Sequence, residues 1–210
     1  MKFLVTAGPT REAIDPVRYL TNRSSGRMGY ALAGAARHEG HEVVLISGPT
    51  VLDVPEGVDF VQVESARQMY DAVRGMLRGV DVAILCAAVA DYTPVAVSEH
   101  KIKKGSERLV LELERTPDIL GSMRSEFGYG GVLVGFAAET QNVVENAREK
   151  LARKGCDMVV ANDVSQPGVG FDSRMNEVTL VLPDREVALP RETKEWLAMR
   201  IVEQALELMP

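Results

Sequence analysis

Cysteine and histidine are scarce in this chain, two and three among 210 residues, and aromatic residues make up only 5%. Cys86 and Cys156 lie far apart in apolar stretches, so buried reduced thiols are expected, not a disulfide or a nucleophile. The three histidines have no cysteines beside them at structural-zinc spacing, which argues against such a site. Positive charge is also short: the net charge is −6, whereas a nucleic-acid binder needs a basic face to displace counterions. An anionic small molecule stays open, because a pocket needs only a few local cations. No apolar run reaches the roughly 18 residues of a membrane span, so no membrane partner is expected. The N-terminal MKFLVTAGPT leads directly into a strand pattern, and the expectation is a cytoplasmic protein without a signal peptide. Repeats, low-complexity tracts and linkers are missing, and a single domain over 1–210 is expected.

What is present is alternation. Near-continuous Val, Ile and Leu mark buried strands at 2–7, 42–47, 59–63, 82–87, 131–137 and 157–161. Helical patterns lie between them at 25–39, 65–78, 117–127 and 143–155. Gly40 and Gly79 suit C-terminal caps, and Ser65 and Thr116 suit N-caps. This order predicts an α/β fold, a doubly wound, mostly parallel Rossmann-like sheet with helices on both faces. Two segments depart from it. RLVLELE (108–114) alternates as a half-exposed strand would, and 176–190 predicts a hairpin turning at Pro183-Asp184. A final amphipathic helix is expected over 191–208.

In such a sheet ligands bind beyond the carboxyl ends of the strands, where helix N-termini offer free N–H groups. NRSSGRMG opens the first helix, so Ser24, Ser25, Gly26 and Gly29 can cradle an anion. The plainer alternative is N-capping by a serine, with Gly29 allowing close helix–sheet packing. A dinucleotide-binding oxidoreductase is disfavoured: about 15 loop residues follow the first strand in place of G-x-G-x-x-G, and no ribose-binding acid follows the second. Asp91 lies just beyond a central strand, and HKIKK places Lys101 among three close lysines. Lys150 and Lys154, four apart, share a helix face where both can reach one polyphosphate. No Ser–His–Asp or Cys–His set is visible. Cations, amides and hydroxyls at strand ends suit phosphoryl or nucleotidyl transfer, where a protein mainly positions groups.

Six motifs in order, TAGPTREAIDPVRYLTNRSSGRMGYALA, CAAVADYTP, HKIKK, TPDIL, GFAAET and ANDVSQ, resemble phosphopantothenate–cysteine ligase, the synthetase half of the bacterial bifunctional coenzyme A enzyme. The resemblance implies joining of 4′-phosphopantothenate to L-cysteine. The substrate carboxylate attacks the α-phosphate of CTP, giving an acyl-cytidylate and pyrophosphate, and the cysteine amine then displaces CMP. It implies that Mg²⁺ accompanies the nucleotide, with no metal ligand identified among the protein side chains. Lys101 is expected to stabilise charge at the α-phosphate and Asn22 to hold the acyl-cytidylate. Leu85, Cys86, Ala87, Asp91, Pro117, Asp118, Ile119, Leu120, Phe136, Lys150 and Lys154 are expected to complete the nucleotide site with Lys101. Arg18 and Asn162 fall to the phosphopantothenate side. Eukaryotic members use ATP, while AAVADY and KIKK favour CTP. A homodimer is implied, with 108–114 and 176–190 pairing across the interface, as is a flavin-dependent decarboxylase as a fused or separate partner. The 8–22 loop and the 92–107 segment are candidates for closing over substrates.

Overall fold

The computed structural model describes residues 1–105, 108–165 and 173–209. Six apolar runs form the parallel strands: β1 Lys2–Ala7, β4 Glu42–Ser47, β5 Asp59–Gln62, β6 Val82–Leu85, β9 Val132–Glu139 and β10 Met158–Asp163. Their spatial order is β5-β4-β1-β6-β9-β10, so the direction of winding reverses between β1 and β6. That reversal opens a crevice beyond the carboxyl ends of these two strands. The predicted hairpin extends the sheet: β11 Met175–Val181 runs antiparallel to β10, and β12 Glu186–Thr193 runs antiparallel to β11. β12 therefore points the same way as β10, and the helix after it starts at the ligand end.

Helices cover both faces, as strands buried on both sides require. α1 Arg27–His38 and α5 Lys194–Glu207 pack together on one face. α2 Ala66–Met76, α3 Ile119–Ser125 and α4 Val143–Lys154 cover the other. Ser65 caps α2 as expected, in a reciprocal capping box with Gln68. Two small ribbons stand apart from the sheet. β2 Arg11–Ala13 pairs with β3 Tyr19–Thr21 inside the expected 8–22 loop, and β7 Tyr92–Pro94 pairs with β8 Leu113–Arg115.

Several boundaries differ from expectation for identifiable reasons. α1 begins at Arg27 because Gly26 sits at φ +78°, a left-handed conformation that glycine tolerates and that stops a helix from reaching back. Neither Ser24 nor Ser25 caps it. Asp118, not Thr116, caps α3, its carboxylate accepting from the Gly121 amide at 2.9 Å, while the Thr116 hydroxyl donates to the Ala90 carbonyl. The strand expected over 108–114 is found as Leu113–Arg115, paired with the three-residue β7. Thr193 ends β12 and caps α5, which delays that helix to Lys194. Residues 106 and 107 of the 92–107 segment, and Gln166 of ANDVSQ, lie outside the described residues.

Gly29 has a packing reason independent of any ligand. A Cβ there would meet the Ala7 Cβ at 2.5 Å and the Ala7 Cα at 3.0 Å, so α1 sits on β1 with no room for a methyl. Gly29→Ala is expected to push the N-terminus of α1 off the sheet at about 1–3 kcal/mol of stability. A fall in melting temperature checks this; an unchanged melt would contradict the close approach.

Candidate functional site

The crevice at the β1/β6 reversal widens into a cleft of about 810 Å³. Its backbone rests on hydrogen bonds between the segments that follow the two strands. The Ala87 amide donates to the Thr6 hydroxyl at 3.1 Å, Ala88 N–H to the Gly8 carbonyl at 2.9 Å, and Ala90 N–H to the Thr10 hydroxyl at 2.9 Å. The Asn22 side chain closes this corner, donating to the Ala88 and Val89 carbonyls at 3.2 and 3.0 Å. Both amide hydrogens hold the backbone, which leaves Oδ1 as the end able to accept from a ligand.

The opening of α1 faces the same space. Ser24, Ser25, Gly26 and Gly29 all line the cleft. With no side chain capping α1, its first-turn N–H groups and the positive end of its dipole suit an anion. The charge agrees. Among the described residues seven basic side chains line the cleft (Arg23, Arg27, Arg115, Lys150, Arg153, Lys154 and Lys194) against two carboxylates, Asp91 and Asp118. In a chain of net charge −6, that is a local reversal of sign.

The cleft brings together nearly all the residues expected from sequence. Leu85, Cys86, Ala87 and Asp91 come from the end of β6 and the turn beyond it. Pro117, Asp118, Ile119 and Leu120 come from the start of α3, Phe136 from β9, Lys150 and Lys154 from α4, and Asn162 from β10. The two α4 lysines are engaged in this structure. Lys150 donates to the Phe136 carbonyl at 2.6 Å, and burial pushes its ammonium below the usual lysine range. Lys154 pairs with Asp118. Burial raises the Asp118 carboxyl, but hydrogen bonds from Lys154 and the Gly121 amide bring it below its ordinary value overall. Burial pushes the Cys86 thiol up to about 12, which favours its protonated form.

Two expected residues stand outside. Lys101 is exposed and, among the described residues, does not line the cleft. Arg18 does not line it either. Its guanidinium pairs with buried Asp15 at 2.5 Å and donates to the Ile102 carbonyl at 3.1 Å, while the Ile102 amide donates to the Asp15 carboxylate at 3.1 Å. The Arg18 guanidinium beside Asp15 holds its carboxyl well below the usual carboxylate range. The clasp fixes the residue next to Lys101 to the β2–β3 ribbon. Asp15→Ala is expected to lower the melting temperature by several degrees and to raise protease cleavage within 99–105, since three backbone amides lose their acceptor. Cleavage at the parental rate would show that the clasp does not hold the segment.

Sequence reasoning did not single out Asn176 or Lys194. Both are buried and both line the cleft. Among the described residues the buried Asn162 and Asn176 Oδ1 atoms have no hydrogen-bond partner, a state that costs about 1–3 kcal/mol per group. The available signal was a polar residue at each end of an apolar hairpin.

Fold and cleft define an open α/β domain with an anion-binding crevice at its winding reversal. The chain belongs to the DNA/pantothenate metabolism flavoprotein C-terminal domain family, which it matches over residues 1–209. It is 50% identical over 208 residues to the coenzyme A biosynthesis bifunctional protein CoaBC of Vibrio parahaemolyticus, covering 98% of this chain and 52% of the relative. To the Bacillus subtilis protein of the same name it is 48% identical, covering 98% of this chain and 51% of that one. The chain thus spans about half the length of the curated relatives it matches. Among solved structures, the C-terminal domain of a CoaBC protein superposes with a TM-score of 0.83 at 46% identity, covering 99% of this chain and 95% of that one. The DNA/pantothenate metabolism flavoprotein from Streptococcus pneumoniae gives 0.84 at 26%, covering 99% of both chains.

Proposed function

We propose that this chain is a phosphopantothenate–cysteine ligase that uses CTP. The observation that carries the reading is the uncapped start of α1 facing a strongly basic cleft, in a chain half identical to a coenzyme A biosynthesis protein. The carboxylate of 4′-phosphopantothenate attacks the α-phosphate of CTP, forming an acyl-cytidylate and releasing pyrophosphate. The cysteine amine then attacks the acyl carbon, CMP leaves, and the amide forms. A carboxylate is a poor acylating agent at neutral pH, and cytidylation supplies its leaving group.

The chain's part in this is positioning and charge stabilisation. First-turn amides of α1 receive phosphate oxygens, and Phe136 walls the nucleotide. Asn22 holds the acyl-phosphate, and Lys101 supplies positive charge at the α-phosphate. Among the described residues no cluster of three His, Cys, Asp or Glu side chains is arranged to hold a metal. Magnesium bound with a nucleotide needs only one or two carboxylates beside phosphate and water. Asp91, exposed at the cleft, fits that demand. Magnesium so bound neutralises charge on the transferring and leaving phosphates.

A homodimer belongs to the same reading. Val17, Tyr19, Val95, Val97, Leu109 and Val110 are exposed on or beside the two ribbons, an apolar surface of the kind that a second copy covers. The hairpin β11–β12 is built into the main sheet, which leaves only its outer strand for pairing. Sedimentation of the purified chain tests this. A flavin-dependent decarboxylase, fused or separate, is the proposed partner, and the cytoplasm the proposed compartment; among the described residues no helix is long and apolar enough to cross a membrane.

The deciding experiment measures pyrophosphate release with 4′-phosphopantothenate, magnesium and either CTP or ATP, with and without cysteine. Release that requires phosphopantothenate and prefers CTP supports the reading. Release with ATP alone would keep the reaction and reject the nucleotide. Nucleotide binding with no release would leave a binding module.

A further inference from the structure

We infer that Thr50, which stands outside the cleft, is the positioning residue for the start of α1: its methyl wedges the two glycine turns from which the first helical amides are presented. The inference rests on the nucleotide-dependent reading proposed above and adds to it a residue on the far side of β1.

The chain writes Gly-Pro-Thr twice, at 8–10 after β1 and at 48–50 after β4. β1 lies between β4 and β6, and Ala7 pairs with Ser47 at the strand ends, so the two triplets leave the sheet side by side. The first faces the crevice: the Gly8 carbonyl accepts from the Ala88 amide at 2.9 Å, and the Thr10 hydroxyl from the Ala90 amide at 2.9 Å. The second closes on the first from the opposite side. The Gly48 amide donates to the Ala7 carbonyl at 3.0 Å, and a Cβ at Gly48 would collide with the Pro9 carbonyl oxygen. The turn after β4 is thus pressed onto the turn after β1 with no room for a side chain between them.

Thr50 occupies the space that two absent side chains leave. Gly8 and Gly26 both have positive φ, +70° and +78°, and their backbones lie against each other: a Cβ at Gly26 would stand 3.3 Å from the Gly8 Cα. The Thr50 Cγ2 lies 2.7 Å from that Cβ position at Gly26 and 3.0 Å from the corresponding one at Gly8. One methyl therefore packs on both turns at once. The hydroxyl on the same side chain serves another purpose. It donates to the Tyr30 hydroxyl, within the first turn of α1, at 3.0 Å and accepts from the Leu52 amide at 3.4 Å.

The start of α1 needs such a wedge. Among the described residues no side chain caps this helix, and glycine samples more backbone conformations than any other residue. Two abutting glycine turns without a third group have wide freedom to shift, and a shift would turn the first-turn N–H groups away from a common anion. Thr50 does not line the cleft, whereas Gly8 and Gly26 both do, so its effect on a ligand passes through them. Holding a binding group in place beforehand raises affinity, because the cost of ordering it is no longer met on binding. The methyl sets this order, and the hydroxyl contributes to the stability of α1.

The test titrates the full chain and its Thr50→Ser, Thr50→Val, Gly26→Ala and Gly26→Ala/Thr50→Ser variants with inorganic pyrophosphate and CTP by calorimetry, beside thermal melts. Thr50→Ser keeps the hydroxyl and loses the methyl, and Thr50→Val does the opposite. Both are expected to melt about 2–4 °C lower. Only Thr50→Ser is expected to bind both ligands about fivefold more weakly or worse, with Thr50→Val within about twofold of the parent. Gly26→Ala is expected to weaken both by about tenfold, and Thr50→Ser added to it recovers part of that loss, because the methyl returns to the same space from the other side. A role in stability alone would move melt and affinity together and give neither the split nor the recovery. Undiminished affinity in Thr50→Ser, an equal loss in Thr50→Val, no recovery in the double variant, or no pyrophosphate binding by the parent would overturn the inference. If Thr50→Ser fails to fold, Thr50→Val decides: full affinity with a lowered melt supports the methyl's role, and lost affinity overturns it. Pyrophosphate binding that depends on this methyl, in a chain that releases none from CTP or ATP, would retain the inference and reject the ligase reading. Turnover with affinities indifferent to position 50 would do the reverse.

Discussion

Replacing Lys101 by Gln is expected to reduce pyrophosphate release by ~10²–10³ while CTP affinity changes by less than about tenfold, the size of loss seen when one preorganised group facing transition-state charge is removed. The split between rate and affinity follows from where Lys101 stands. Among the described residues it does not line the cleft, whereas seven other basic side chains do, so a nucleotide bound there as proposed would already have its countercharge. Lys101 sits next to Ile102, whose backbone is tied at both N–H and carbonyl to the Asp15–Arg18 pair. Its long side chain starts from an anchored base, and the proposed role requires a movement of 99–105 that would bring the ammonium to the α-phosphate as charge develops there. An interaction made mainly in the transition state lowers kcat when removed and leaves binding largely intact. Rapid-quench measurement of pyrophosphate formation, with calorimetry for CTP, separates the two quantities. Turnover at the parental rate would remove Lys101 from the mechanism, and an equal loss in both would make it a binding residue.

The sheet was legible because strands buried on both faces must be apolar along their whole length, and KFLVTA, EVVLIS and VAILCA have no other simple reading. The order of those strands was not legible, since it depends on which face each crossover helix takes. The same distinction separates the site residues. Those next to strand ends and helix starts, such as Asp91 and Ser24, could be placed from local pattern, whereas Pro117 was reached only through the family resemblance. Asn176 and Lys194 could not, because they reach the cleft only when the antiparallel return of β11 and β12 carries the chain back to the ligand end. A hairpin set apart for an interface would have left both at the periphery. Arg18, assigned to the phosphopantothenate side by the family resemblance, pairs here with a buried carboxylate three residues earlier, and spacing alone does not distinguish a partner within the chain from a substrate. The caps reflect competition among neighbours: Thr116 and Asp118 both suit an N-cap, and Pro117 between them ends the extended segment so that the aspartate takes the role.

Asn22→Asp is expected to leave the first half-reaction measurable and to slow amide formation by about 10². Both Asn22 N–H groups donate to the carbonyls of Ala88 and Val89. Aspartate is nearly the same shape, but it has no donor when ionised and would face two carbonyl oxygens with negative charge. The side chain must turn away, the corner between the β2–β3 ribbon and the end of β6 loosens, and the acyl-cytidylate loses the group proposed to hold it. Cytidylation, in the proposed reaction, would depend more on the side of the cleft formed by α1 and the basic residues, which this substitution does not touch. A burst of pyrophosphate followed by slow release of CMP, with the intermediate detectable after acid quench, is the expected signature. Raising the cysteine concentration should not restore the rate, because the defect is in holding the acyl donor and not in capturing the amine. Amide formation at the parental rate would show that Asn22 serves only the backbone it bonds. Loss of both half-reactions would mean that the turn at Ala88 and Val89, not the amide itself, sets the geometry for chemistry.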